Sequence, residues 1–403
     1  MVARVTTTAP SRLQQPIVAG IVTALVGFTS SFAVVIAGLR AVGASAEQAA
    51  SGLLALTVIF GLGIVVLSVR TRAPITLAWS TPGAALLASM AASYHAGWAA
   101  AVGAFVVVGV LIVVTGLVPA LGDLISRIPT PIAQAMLAGV LITLCLAPMR
   151  SLVDAPVLTI PVLVVWLAAT RWLPRWALPL AMVTALVVIG VHVAVNGADD
   201  AAPTNWLPSL TFTVPELDLA AIVGLAVPLF IVTMASQNIP GVAVLSSFGY
   251  ATPWRAAMTV TGVGTIVAAP FGGHAINLAA LSAALAAGDE AGPDRSRRWI
   301  AGVSAGITYL VLAALSGVLV TIAAIAPGGL VEAVAGLALL GTFAAAIVGA
   351  FTAVETRVPA ALTFVAAASG VTFFGIGGAF WGLVIGLVAH AVLRVGKSAE
   401  TDG

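Results

Sequence analysis

The stretches Ala73-Pro-Ile-Thr-Leu-Ala-Trp-Ser-Thr-Pro-Gly-Ala-Ala-Leu-Leu87 and Ala269-Pro-Phe-Gly-Gly-His-Ala-Ile-Asn-Leu-Ala-Ala-Leu-Ser-Ala-Ala-Leu285 decide how this sequence is read. Each opens on Ala-Pro, passes through about seven residues poor in helix formers, and then becomes a short apolar run. They begin 196 positions apart in a chain of 403 residues, so one falls in each half. A matched pair of interrupted hydrophobic segments, one per half, points to the binding site of a membrane transporter.

Composition places the chain in a bilayer. Apolar residues make up 61% and charged residues 7%, with a mean hydropathy of +1.16. A soluble fold needs far more polar surface than that. The net charge of +2 is too small to argue for nucleic acid, and the basic residues read as topology signals. Cys145 is the only cysteine and lies in an apolar stretch, so it reads as a buried structural thiol without disulfide or zinc. No metal-ligand spacing, phosphate-cradling loop or Ser/His/Asp arrangement stands out, so neither an enzyme nor a resident cofactor or metal is expected. Met1 to Gln15 is polar, and the apolar run that follows is longer than a signal-peptide core, so it reads as a first span.

Runs of spanning length can be placed at 16–39, 47–68, 73–92, 97–118, 130–149, 156–171, 176–195, 218–237, 253–268, 269–287, 299–321, 329–351, 358–374 and 378–395. These are segments 1 to 14, with 3 and 10 interrupted. With the N-terminus inside, fourteen crossings put 14 of the 16 basic residues on the cytoplasmic side, leaving only Arg40 and Arg150 outside. If segments 3 and 10 merely dipped in and out, the split would fall to 11 against 5, so the positive-inside rule favours two full crossings. The expected fold is therefore an all-α membrane protein with both termini cytoplasmic. The polar break from Asn196 to Asp218 divides it into two halves of seven segments. Because seven is odd, the second half enters from the opposite side, and the halves are inverted repeats. Segment 1 has a polar break at Thr29-Ser30-Ser31, matched in segment 8 by Ser236-Gln237-Asn238 ahead of Pro240-Gly241. Asp123 and Arg127, after segment 4, read as a solvated i,i+4 pair.

A broken helix at membrane depth survives only where it faces protein or a watery cavity. Segments 3 and 10 are therefore interior. Thr81 is placed as an N-cap and Pro82 as the first residue of a half-helix. The half-helix of segment 10 is expected to start around Gly273 to Ala275. Two helix N-termini offer unpaired N–H groups and partial positive charge, suited to a carboxylate. His274 can carry a coupling proton or bond a ligand, or simply satisfy nearby backbone. Asn277 is a candidate ligand contact. Gln237 and Asn238 can offer amides to a carboxylate or act as polar glue between helices. Ser30, Ser31, Ser80 and Thr81 are candidate contacts or caps alone. Trp79 and Phe271 precede the half-helices and can stack on a flat apolar ligand.

At these residues the chain resembles a known family. The strings Pro74-Ile-Thr-Leu-Ala-Trp-Ser-Thr-Pro-Gly83, Phe271-Gly-Gly-His-Ala-Ile-Asn277 and Ala368-Ser-Gly-Val-Thr-Phe-Phe-Gly-Ile-Gly-Gly-Ala-Phe-Trp-Gly-Leu383 are similar to the BenE family of benzoate:proton symporters. The resemblance covers nearly the whole chain. It implies the architecture shared with nucleobase:cation symporters and sulfate-type anion transporters. Carried over by order, residues 16–128 and 218–324 would form a core domain, and 129–196 and 325–396 a gate domain. A cytoplasmic tail (1–15), an extracytoplasmic loop (197–217) and a cytoplasmic C-terminus (397–403) would complete the chain. The nucleobase symporters bind substrate with carboxylates on segments 8 and 10, where this sequence has Gln237 and His274. The loss of both acids suits an anionic substrate, which a buried glutamate would repel. The expectation is import of benzoate or a related aromatic carboxylate with a proton across the bacterial inner membrane, with His274 as proton carrier. The alternatives are an uncoupled anion channel or exchanger and a nucleobase:proton symporter of the same fold. A homodimer is compatible with either.

Overall fold

The computed structural model describes residues 13–91, 94–118, 128–196, 209–327, 329–373 and 376–401. Asp123 and Arg127 lie outside them, as do most of the N-terminal tail and of the 197–217 loop. The protein is almost entirely helical, and its helices follow the expected order of segments. Among the described residues seven helices are long and apolar enough to cross a bilayer, those of segments 1, 2, 4, 5, 7, 8 and 12. An eighth is gained if segment 11, whose two helices meet at 56°, is one bent span. Segments 6, 9, 13 and 14 are the helices Pro156–Trp172, Trp254–Ala268, Arg357–Ala368 and Gly378–Thr401.

Segments 3 and 10 are built alike, each a three-residue strand followed by a short helix. Strand β1 (Leu77–Trp79) leads into half-helix 3 (Thr81–Ser89), and strand β2 (Ile276–Leu278) into half-helix 10 (Ala280–Ala287). The strands pair antiparallel, with Leu77 opposite Leu278, Ala78 opposite Asn277 and Trp79 opposite Ile276. The half-helices therefore leave the crossing in opposite directions, as inverted repeats require. Half-helix 10 starts at Ala280, later than the expected Gly273 to Ala275, because residues 275–279 bond to the opposite strand and to neighbouring side chains. Ser80 N–H donates to Ala275 O at 2.9 Å and Ala279 N–H to Thr76 O at 3.0 Å. Thr265 Oγ1 accepts from Ile276 N at 2.9 Å, and Asn238 Oδ1 from Leu278 N at 2.8 Å. At membrane depth such partners are obligatory.

The two polar breaks differ. Segment 1 does stop at Thr29 and resume at Phe32. The hydroxyls of Thr29, Ser30 and Ser31 donate back to Leu25 O, Gly27 O and Gly27 O at 2.7, 2.9 and 3.3 Å, competing with the helical ladder. Segment 8 is not broken. It runs from Leu219 to Ser247, with wider π turns at Ile222–Ala226 and Met234–Asn238, ahead of Pro228 and Pro240. A proline lacks the N–H of the normal ladder, and a π turn absorbs the mismatch without ending the helix.

Around the crossing, segment 11 packs on segments 1 and 2, segment 9 on segment 4, and half-helix 10 on segments 1 and 8. Segment 5 packs on segments 12 and 13 and touches half-helix 3. Gly38 lets the second half of segment 1 lie directly on half-helix 3, where any Cβ would run into the Ala84 carbonyl. Segment 13 ends at Ala368, short of the expected 374, because Gly370 adopts φ +66° and turns the chain. A hairpin of β3 (Thr372–Phe373) and β4 (Ile376–Gly377) follows.

Candidate functional site

Half-helix 3 is capped by its own sequence. Ser80, not Thr81, is the N-cap: its Oγ accepts from Gly83 N at 3.1 Å and from Thr233 Oγ1 at 2.8 Å. Thr81 is the first helical residue, and Pro82 has no N–H to satisfy. Half-helix 10 has no side-chain cap, since Ala279 occupies that position. Its first amides are left to whatever occupies the space in front of them. The two ends are therefore chemically unequal, and the second is the more open to an anion.

That space is a cavity of about 120 Å³. Gly27, Ser30 and Ser31 of segment 1 form one side, and Ala78, Trp79, Thr81 and Pro82 of segment 3 another. Gln237 of segment 8 and Ala279, Ala280 and Ser282 of segment 10 close the back. Leu178, Ala338 and Thr342, from segments 7 and 12, face them. No side chain in this wall is ionisable. Its volume is of the order of the roughly 150 Å³ apolar cavity that holds a benzene ring. A helix N-terminus contributes ~0.3–1 kcal/mol toward an anion at an exposed site and up to ~2 kcal/mol when partly buried.

Trp79 is fixed in the wall. Its Nε1 donates to Ser31 Oγ at 2.8 Å, and its ring lies 5.3 Å from Phe28 and 5.5 Å from Phe60. Phe60 stands edge-on to Tyr309 at 4.7 Å, and the buried Tyr309 hydroxyl hydrogen-bonds Ser282. A wall held this way offers a ring-sized ligand a rigid face. The Gln237 amide, by contrast, has no hydrogen-bond partner among the described residues and is free for a ligand.

Of the residues singled out from sequence, Ser30, Ser31, Trp79, Thr81 and Gln237 come together on this wall. Ser80 lies just behind it as the cap. His274 is wholly buried behind the strands, its Nε2 3.0 Å from Ser80 O. A carbonyl only accepts, so Nε2 carries the hydrogen, and Nδ1 has no partner. Asn277 is also fully buried, and its amide is satisfied only when oriented with Nδ2 toward Leu278 O, at 3.1 Å, and Oδ1 toward Ser80 N, at 3.3 Å. Asn238 is turned toward β2, with its Nδ2 donating to Met234 Sδ at 3.1 Å. Phe271 packs on Phe212 at 5.7 Å, away from the cavity, and its carbonyl accepts from Ser51 Oγ at 2.8 Å. Gly273 packs its backbone against Ala268 and Leu56. Sequence reasoning missed Gly27, Ser282 and Thr342. Thr342 carried a signal: it is the one hydroxyl in the apolar run Leu330–Phe351.

A family model described as BenE, benzoate membrane transport protein, matches residues 11–392. The inner membrane protein YdcO of Escherichia coli is 35% identical over 380 residues, which cover 94% of this chain and 96% of that protein. The benzoate membrane transport protein of Acinetobacter baylyi is 30% identical over 386 residues, covering 95% and 96%. Among solved structures, the transmembrane domain of a cyanobacterium bicarbonate transporter, BicA, aligns with a TM-score of 0.60 at 18% identity, covering 96% of this chain and 98% of that one. SLC26A9 aligns with a TM-score of 0.61 at 13% identity, covering 94% and 66%. At such identities the structural likeness speaks for the fold.

Proposed function

Because the chain belongs to the BenE family of benzoate membrane transport proteins, we propose that it imports benzoate or a closely related aromatic carboxylate with a proton, by alternating access. The family is one of transporters, not enzymes, and the protein is an integral, multi-pass membrane protein. The observation that carries the substrate reading is a ring-sized cavity with no charged side chain, set before the uncapped N-terminus of half-helix 10. The carboxylate sits at that end within reach of Gln237, and the ring lies against Trp79. Residues 16–128 with 218–324 act as the core and 129–196 with 325–396 as the gate, moving past one another around the site. Both termini face the cytoplasm of a bacterial inner membrane.

His274 couples the proton indirectly. Protonation of its free Nδ1 places a positive charge behind the Ser80 cap, where it favours an anion in the cavity, and the two leave together. In membrane vesicles, benzoate uptake should rise with an inward proton gradient and alkalinise the outside medium. His274→Ala should keep downhill exchange and lose the response to the gradient. A second reading, an uncoupled anion exchanger, is favoured by the lack of any ionisable side chain in the cavity wall. Wild-type uptake that follows benzoate alone and ignores an imposed proton gradient would decide for it.

A further inference from the structure

A second cavity, of about 500 Å³, lies at the end of segment 1 from which the chain begins. Its walls come from the same elements as the site above. Segment 1 contributes Val18 and Val22 here and Gly27 there, and half-helix 10 contributes Leu285 here and Ser282 there, one turn apart. Segment 7 opens with Trp176 here and Leu178 there. Trp176 and Leu178 are two residues apart and Leu285 and Ser282 one helical turn, so the larger cavity adjoins the site along the same elements, as a vestibule.

Unlike the site, the vestibule has charge in its wall. Arg175, in the turn between segments 6 and 7, forms an ion pair with Glu290, which follows half-helix 10. The other two ion pairs among the described residues, Arg297 with Asp294 and Arg298 with Asp289, are local to the loop after half-helix 10. The Arg175 and Glu290 side chains are 56% and 43% exposed, so the pair is weak and exchangeable. Beside it, Trp176 is 40% exposed and offers an aromatic face.

We propose that this vestibule is a second, transient carboxylate station, with Arg175 as the ligand, Trp176 as the ring platform and Glu290 as the competing anion. It rests on the aromatic-carboxylate reading above. A guanidinium fork suits a carboxylate in two-point contact, and an aromatic ring suits the flat indole. In the empty state Glu290 occupies the fork. An arriving carboxylate displaces one carboxylate by another, so no buried charge is stranded, and the bound state stays shallow enough for passage.

The test compares everted with right-side-out vesicles carrying the full chain and uses labelled benzoate. Arg175→Gln should raise the half-saturation concentration about tenfold for benzoate offered at the face bearing Arg175, and leave the opposite face unchanged. Glu290→Gln should lower it at the first face. Added salt should weaken the wild type there and leave Arg175→Gln unaffected. Arg175→Lys, which keeps the charge and loses the fork, should fall between them and covers the case in which the glutamine variant fails to fold. Equal effects on both faces, or full recovery in the Arg175→Glu, Glu290→Arg swap, would overturn the station and leave the pair a simple latch. No benzoate uptake by the wild type on either face would overturn the transport reading itself, and the station with it.

Discussion

Gly27 sits where the first half of segment 1 meets the cavity, and a single methyl there tests how tightly the wall is built. A Cβ at this position would fall on the Tyr309 hydroxyl oxygen, about 1 Å inside the ~3.5 Å of an unstrained contact. The next atoms, Tyr309 Cζ and Ser282 Oγ, stand 3.5 Å away, at ordinary distance. Tyr309 is 1% exposed and ringed by Phe60 and Ser282, so it has no room to retreat. Gly27→Ala should therefore cost ~1–3 kcal/mol as overpacking. Tyr309→Phe alone should cost ~1 kcal/mol for its hydrogen bond to Ser282. In the double variant the clash is gone, and Gly27→Ala, Tyr309→Phe should be more stable than Gly27→Ala by ~1–2 kcal/mol. Thermal inactivation of purified protein, read as benzoate uptake remaining after heating and reconstitution, ranks the four proteins. A double variant at or below the sum of the two single losses would refute the reasoning, because the hydroxyl would then not be what the methyl meets.

Other perturbations probe the same wall. Gln237→Glu places a carboxylate in a cavity without charge, so at neutral pH the half-saturation concentration for benzoate should rise by more than about tenfold; lowering the pH protonates the new acid and should restore uptake, and a pH-independent loss would point to misfolding instead. Asn238→Leu leaves the Leu278 N–H buried and unpaired, so β2 should be destabilised by ~1–3 kcal/mol, seen as faster amide exchange at Ile276 to Ala279. Arg298, 3% exposed, donates to Gly292 O, Ala287 O and Asp289 Oδ1 at 2.8, 2.5 and 2.7 Å, fastening the far end of half-helix 10. Arg298→Ala should lower thermal stability by ~1–3 kcal/mol, with Arg298→Lys recovering only part, and an unchanged inactivation temperature would deny it that role.

Segment order and the two interruptions were legible because Pro74, Pro82 and Pro270 punctuate otherwise continuous apolar runs, and because the arginines count crossings. The strand pairing was not legible. Ile75 to Trp79 and Ala275 to Ala279 are too short to show a period of two, both faces are buried so that Thr76 and Asn277 lie inside like their apolar neighbours, and their partners are about two hundred residues away. Gln237 and Asn238 could not be told apart from their types. Successive residues on a helix point about 100° apart, and the π turn that ends at Asn238 sets Gln237 toward the cavity and Asn238 toward β2. His274 was found as the ionisable group at the crossing. Which side of the strands it would occupy depended on a register that only the folded chain supplies.

The strand crossing also sets an order of assembly. Segment 3 leaves the ribosome long before segment 10, yet Ser80 N–H and Thr76 C=O have their partners on Ala275 and Ala279. Until those residues arrive, segment 3 carries unsatisfied backbone and a nine-residue helix too short to span the hydrocarbon. It must wait beside the insertion machinery or at the interface, entering the bilayer only when its counterpart is made. Chain truncation before Ala269 should therefore leave Ala73 to Ser89 accessible to aqueous labelling reagents, while segments 1, 2 and 4 are already protected.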